Sequence, residues 1–123
     1  TSITNDMATR YKAVIEFDLN DSLYVTTVSV RWYRELVKAM KDAFDFDEDF
    51  PDIPFLVMQA GDDKIVDRHL VREWFNYCPA SEKHYKEWPK LYHEIFNEPE
   101  REDVFQYAKS FVEARLRNIG YII

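Results

Sequence analysis

Two short stretches hold the side chains best suited to proton chemistry. The first is MQAGDDKIVD, Met58 to Asp67, with Asp62, Asp63 and Asp67 behind a short apolar run. The second is LYHEIFNE, Leu91 to Glu98, with His93 in a polar setting. A carboxylate that accepts from an imidazole Nδ1–H fixes the tautomer and favours the imidazolium. Nε2 is then free to take a proton from a nucleophile. Asp62 or Asp63 could supply the carboxylate and His93 the imidazole. Each also has a plainer reading, as an aspartate-rich turn and a solvated loop histidine. Asp67 reads better as a helix cap than as a catalytic group. His69 falls on a charged helix face and His84 flanks a strand, so both read as solvent-facing. Glu94 and Glu98 are balanced between hydrogen-bonding the His93 loop and simple solvation. No pair of histidines has zinc-type spacing, so neither a metal nor another cofactor is expected.

The elements that must position these groups are legible in the apolar periodicity. SITNDMATRYKAVIEF offers Thr4 or Asn5 as a cap, then Met7, Tyr11, Val14 and Ile15 at helical spacing, which predicts one short helix. DLNDSLYVT is turn-rich and reads as a loop. From Val28 to Phe44, apolar residues at Val30, Tyr33, Val37, Met40 and Phe44 predict an amphipathic helix. The acidic run DAFDFDEDFPD, Asp42 to Asp52, lacks the mid-loop glycine and closing glutamate of a calcium loop and reads as solvated. IPFLVMQA, Ile53 to Ala60, is apolar on both faces, as a central parallel strand should be. DRHLVREWFNY predicts a helix with Leu70, Val71, Trp74 and Phe75 on one stripe and Asp67 at its start. KHYKEWP, Lys83 to Pro89, alternates and predicts a second strand. NEPEREDVFQYAKSFVEARLRN predicts a closing helix with Val104, Ala108, Phe111, Val112 and Leu116 as its buried stripe.

The order helix-helix-strand-helix-strand-helix places the chain in the α/β class, with parallel strands joined by a right-handed crossover. In such a sheet, chemistry collects past the carboxyl ends of the strands. Adjacent strands lie about 4.8 Å apart, so the loop that holds Asp62 and Asp63 can touch the loop that holds His93. A parallel sheet normally has more than two strands, and the first strand is expected to want a further neighbour.

Composition narrows the function classes. The net charge is −7, which argues against a nucleic-acid partner. At 46% hydrophobic and 16% aromatic, the chain is too apolar for a disordered one. No run is long enough to span a bilayer and no signal peptide is visible, so a cytoplasmic location is expected, peripheral to membranes at most. The one cysteine, Cys78, excludes a disulfide framework and reads as a buried small hydrophobe. The chain has only two glycines and opens on Thr1, which suggests a piece of something larger.

PFLVMQAGDDKIVD and YKEWPKLYHEIFNEPEREDVFQYAKSFVEARL closely resemble the C-terminal part of the α/β-hydrolase superfamily, nearest to the monoglyceride lipase and lysophospholipase group. The resemblance puts Asp63 at the position of the triad aspartate, Asp67 at that of the later aspartate, and His93, in the loop of type G-x-x-H-E, at that of the triad histidine. NDSLYVTTVSVRWYREL resembles the segment that returns from the cap region of such enzymes. The loop glycine of the family is absent, with Leu91 in its place. The nucleophile elbow G-x-S-x-G cannot exist with Gly61 and Gly120 alone, and Ser2, Ser22, Ser29, Ser81 and Ser110 all lack that setting.

The resemblance therefore implies that residues 1–123 form a single partial domain of a serine hydrolase acting on carboxylic esters of lipids. It holds the aspartate and the histidine but not the serine, and is expected to be inactive alone. The expected partners are a lipid ester substrate in the parent enzyme, and either the missing N-terminal half or another copy of the chain at the bare strand edge. Other acyl substrates on the same fold remain open. The competing class is a non-catalytic interaction module derived from this fold.

Overall fold

The computed structural model describes residues 2–122. Its elements run α1 (Asn5–Ala8), α2 (Lys12–Asn20), α3 (Val30–Asp42), β1 (Phe55–Ala60), α4 (Arg68–Tyr77), β2 (Lys83–Trp88), a 3-10 turn (Ile95–Asn97) and α5 (Arg101–Asn118). The strands β1 and β2 are parallel and in register from Phe55 opposite Lys83 to Ala60 opposite Trp88. The mixed α/β class and the strand-helix-strand unit are as expected from the sequence.

Alternation along the strands assigns the two faces of the sheet. On one face, Phe55 meets Trp74 of α4 and Tyr85 meets Phe75 of α4, with ring centroids 6.5 and 5.3 Å apart. On the other, Trp88 meets Tyr107 and His84 meets Phe111, both on α5. Helices therefore cover both faces, as parallel strands require. The best-packed cluster, Ala60, Leu91, Ile95 and Val104 with Met58 and Trp88 against it, lies at the carboxyl end of the strands, on the α5 side.

Local chemistry sets the helix ends. Asp67 caps α4 by accepting from the His69 N–H at 2.8 Å. Lys83, the first residue of β2, donates to the carbonyls of Phe75, Asn76 and Cys78 at the other end of α4. A cation there complements the helix dipole and ties the helix to the strand that follows it. Ser29 caps α3 through the Trp32 N–H at 3.1 Å. The closing helix carries Glu102 and Asp103 in its first turn and Arg115 and Arg117 in its last. Cys78 is buried, and His69 is exposed.

Three expectations need correction. The first predicted helix is two helices, because Thr9 is extended at φ −148° and ψ 152°. The Thr9 hydroxyl and the Arg10 N–H bond to Glu98, 88 and more residues away, instead of to a helical ladder. The second piece, α2, runs on through Asp18–Asn20, which the turn-rich composition had assigned to a loop. In α5 only Val104 is fully buried, and Val112 of the expected stripe is exposed. The amphipathic α3 stands as expected, with its apolar stripe uncovered: Val30, Tyr33 and Met40 are exposed, and the helix forms one wall of an open apolar groove of about 850 Å³ whose other wall includes Leu70 and Trp74 of α4.

Gly61 sits where the two strands end. A Cβ there would lie 2.8 Å from the Trp88 carbonyl oxygen and 2.9 Å from Pro89 Cα, both backbone atoms that cannot turn aside. Gly61→Ala is therefore expected to lower unfolding stability by about 2 kcal/mol, the range of an overpacked site. Urea unfolding followed by tryptophan fluorescence measures it, and an unchanged midpoint would show that the strand ends can spread freely.

Candidate active site

The backbone pairing does not stop where the strands do. The Gly61 N–H donates to the Trp88 carbonyl at 2.8 Å, and the Asp62 N–H donates to the Leu91 carbonyl at 3.0 Å. These two bonds lock the loops after β1 and β2 side by side. His93 Nδ1 then lies 3.0 Å from Asp63 Oδ2, across 30 residues of sequence.

Asp63 is almost fully enclosed, with 3% of its side chain exposed against 38% for His93. Its Oδ1 accepts from the Ile65 and Val66 N–H groups, each at 2.9 Å. Its Oδ2 accepts from Gln59 Nε2 at 3.0 Å as well as from the imidazole. Burial pushes the Asp63 carboxyl upward. The N–H groups of Val66 and Ile65, together with His93, outweigh that and hold it below the usual carboxylate range. An ionised Asp63 is an acceptor only, so the proton between the two rests on Nδ1. Nε2 of His93 has no hydrogen-bond partner among the described residues. An imidazole so held can accept a proton at Nε2 and return it.

The alternatives within the motif separate by geometry. Asp62 points outward and pairs with Lys64. Asp67 is the cap of α4. His84 is exposed and contacts Glu82 and Arg115, away from this pair. The Tyr92 ring, in the histidine loop, has Lys64 of the aspartate loop 5.3 Å and Arg10, between α1 and α2, 6.0 Å from its centroid. Among the described residues, no group of three or more histidine, cysteine or acidic side chains could hold a metal ion.

The residue that takes up the left-handed backbone of the His93 loop is Lys90, at φ 70°. It lies three positions before the histidine, where G-x-x-H places its glycine. Leu91, to which that position was assigned from the sequence, is instead a buried core residue. Sequence reasoning also passed over Gln59 and the pair Thr9–Arg10. Gln59 carries a usable signal, as the one polar residue in the strand FLVMQA, just before the turn to Asp63. Thr9 and Arg10 carry none, because their partner is remote in sequence. Glu98, left balanced between bonding and solvation, is fully buried and bonds the His93 loop through the Tyr92 N–H at 2.9 Å.

The sequence matches the family described as "Serine aminopeptidase, S33" over residues 1–100. It is 58% identical over 113 residues to the phospholipase YtpA of Bacillus subtilis, covering 92% of this chain and 44% of that protein. It is 25% identical over 118 residues to an uncharacterized abhydrolase domain-containing protein of Dictyostelium discoideum, covering 95% of this chain and 12% of that one. The fold superposes on a soluble variant of monoglyceride lipase from Saccharomyces cerevisiae with a TM-score of 0.77 at 23% identity, covering 93% of this chain and 43% of that one. It also superposes on the monoacylglycerol lipase of Paleococcus ferrophilus with a TM-score of 0.66 at 22% identity, covering 88% and 43%. At such identities these structures speak for the α/β-hydrolase fold alone. The chain spans less than half the length of each of these relatives.

Two measurements follow from this geometry. Burial would raise the Glu98 carboxyl, but Thr9, the Tyr92 N–H and Arg10 together hold it low, as the N–H groups and His93 do for Asp63. A carboxyl depressed on folding contributes stability above its unfolded value, about 3.9 for Asp and 4.3 for Glu, and loses it as pH falls through the lower folded value. Melting temperature should therefore be flat above about pH 5 and fall steeply below pH 4, and the double variant Asp63→Asn, Glu98→Gln should flatten that acid limb. An acid limb of unchanged steepness would contradict the assignment. Lys90→Gly should stabilise the protein by about 0.5–1 kcal/mol, relief of the left-handed conformation less the added freedom of the unfolded chain. Loss of stability in chemical denaturation would overturn that reading of the loop.

Proposed function

The chain belongs to the serine aminopeptidase S33 family, with the α/β-hydrolase fold, and from that membership we propose that it supplies the Asp63–His93 half of a serine-hydrolase site acting on carboxylic esters of lipids. The observation that carries the proposal is the 3.0 Å contact between a buried carboxylate and Nδ1 of His93, with Nε2 left available. The serine is not in this chain's own repertoire: no serine sits in G-x-S-x-G, and none is hydrogen-bonded to His93 among the described residues. A polypeptide segment outside these 123 residues therefore brings the hydroxyl and the oxyanion donors.

In this reading the serine oxygen attacks the ester carbonyl carbon while its proton passes to His93 Nε2. Asp63 keeps the ring in that tautomer and stabilises the imidazolium. The tetrahedral intermediate collapses, and the departing alcohol oxygen takes the proton from Nε2–H. Water then attacks the acyl-serine ester with the same proton relay, releasing the fatty acid and restoring the serine hydroxyl. Lysophospholipids and monoacylglycerols fit as substrates. The lipid class is favoured over peptides by the 58% identity to a phospholipase, although the family's description is that of an aminopeptidase. No helix among the described residues is long and apolar enough to cross a membrane.

The segment that brings the serine has a place to dock. Among the described residues, β1 is hydrogen-bonded on one side only, in a sheet of two strands. It is apolar on both faces and so has the character of an interior strand, not of an edge. A further parallel strand on its free side, with cover for the apolar face of α3, completes the hydrolase sheet.

The protein as its gene encodes it should hydrolyse lysophosphatidylcholine or monooleoylglycerol. His93→Ala or Asp63→Asn should lower kcat by about 10,000-fold with the fold intact by circular dichroism. Hydrolysis that survives His93→Ala would sink the assignment. Absence of any ester or peptide hydrolysis in the wild-type protein would favour the interaction module. Expressed as these 123 residues alone, the chain should show no turnover and should sediment as a dimer or larger through its free strand edge. A monodisperse monomer would count against the docking.

A further inference from the structure

Glu98 is the buried charge that the proposed chemistry does not use. Its side chain is fully enclosed, and its two oxygens accept four hydrogen bonds. Oε1 takes the Thr9 hydroxyl and the Arg10 N–H, each at 2.6 Å. Oε2 takes Arg10 Nε at 2.7 Å and the Tyr92 N–H at 2.9 Å. A carboxylate offers about four lone-pair directions, so this one is saturated.

Where those bonds lead matters more than their number. Tyr92 is the residue before His93, and its N–H is held by Glu98. Glu94 is the residue after His93, and its N–H donates to the Ala8 carbonyl at 2.8 Å. Both peptide neighbours of the histidine are thus tethered to one segment, Ala8 to Arg10, with Glu98 fastening that segment to the loop. The Thr9 hydroxyl adds the Asn97 carbonyl as an alternative acceptor at 3.1 Å. The aspartate side of the site is held independently by Gln59 and the turn amides. What sets the height of the imidazole over Asp63 is the backbone between Tyr92 and Glu94.

We infer that Glu98 is a positioning residue for His93: it clamps the histidine loop to the Thr9–Arg10 strap and so fixes where Nδ1 meets Asp63 and where Nε2 presents itself. The inference rests on the proposed role of His93. The isosteric glutamine cannot replace the carboxylate, because its NH₂ group would face at least one fixed N–H donor whichever way it turned: the Arg10 N–H on one side, Arg10 Nε and the Tyr92 N–H on the other. A displacement of a catalytic group by about 1 Å is enough to cost roughly 100-fold in rate.

The test uses the gene-encoded protein and the variants Glu98→Gln and Thr9→Val, assayed well below their melting temperatures. Proton NMR of the Nδ1–H shared by His93 and Asp63 is recorded beside lysophospholipid hydrolysis. Glu98→Gln should lower kcat by about 100-fold, leave KM within about twofold, and broaden or shift the Nδ1–H signal. Thr9→Val, which removes one of the four bonds, should do the same more weakly, and it serves if Glu98→Gln does not fold. A variant that melts earlier but keeps wild-type kcat and an unmoved Nδ1–H signal would show that Glu98 only stabilises the fold, and would overturn the inference. The resonance needs no turnover. If the wild-type protein has no esterase activity, the functional reading fails while the clamp is still judged, by whether the signal moves.

Discussion

Parallel pairing of β1 with β2 is the constraint on which everything else here depends. The register sets Gln59 opposite Glu87 and Ala60 opposite Trp88, so both strands end level. Two further backbone bonds, from Gly61 and Asp62, carry the pairing into the loops. Only a residue without Cβ permits the approach at Gly61. A slip of one residue would send Gln59 to the opposite face and break its bond to Asp63. The contact between residues 63 and 93 is thus set by strand geometry, not by mutual attraction of two exposed side chains. That is why a carboxylate and an imidazole distant in sequence meet.

Around this frame the protein buries two carboxylates and treats them alike. Burial opposes ionisation in both, and in both the donors present outweigh it. For Asp63 the donors are mostly turn amides that follow it directly, so its ionisation is secured by local structure. For Glu98 they come from the segment before α2 and from the histidine loop. The Arg10 guanidinium is partly exposed, so the ion pair is only half desolvated. The Glu98 site adds to that pair three bonds from neutral hydroxyl and amide donors, which depend on direction as well as charge.

The legible part of this structure is the part written in local pattern. The largely apolar run of β1, the alternation of β2, the Asp67 cap and the apolar spacing of α3 each act within a few residues, and the elements they mark are found as expected. Asp63 and His93 could be singled out because strand ends in a parallel sheet gather function. Choosing Asp63 over Asp62 needed either the resemblance or the coordinates, since two adjacent aspartates differ only in which way the turn faces them. The split between α1 and α2 was not legible. Met7, Tyr11, Val14 and Ile15 keep helical spacing across it, and what breaks the helix is Glu98, nearly ninety residues on. Val112 and the stripe of α3 show the complementary failure: periodicity marks the face that seeks cover, not what covers it.

That last point separates two kinds of completeness. The pairing of Asp63 with His93 is over-determined within this chain, by strand register, by turn amides, by Gln59 and by Glu98. The lysine held left-handed at position 90 shows that the loop keeps its path even where the residue type is unfavourable. The hydrophobic cover is, by contrast, under-determined. Among the described residues, one side of β1 is unbonded and much of the α3 face is exposed. A proton relay must be placed to a fraction of an ångström by directional bonds, and those are short-range. Apolar cover is non-directional and can come from any surface of the right shape. It follows that the contact between Asp63 and His93 is set by directional bonds within these residues, while the apolar face of α3 is marked by the sequence without anything here to fix its cover.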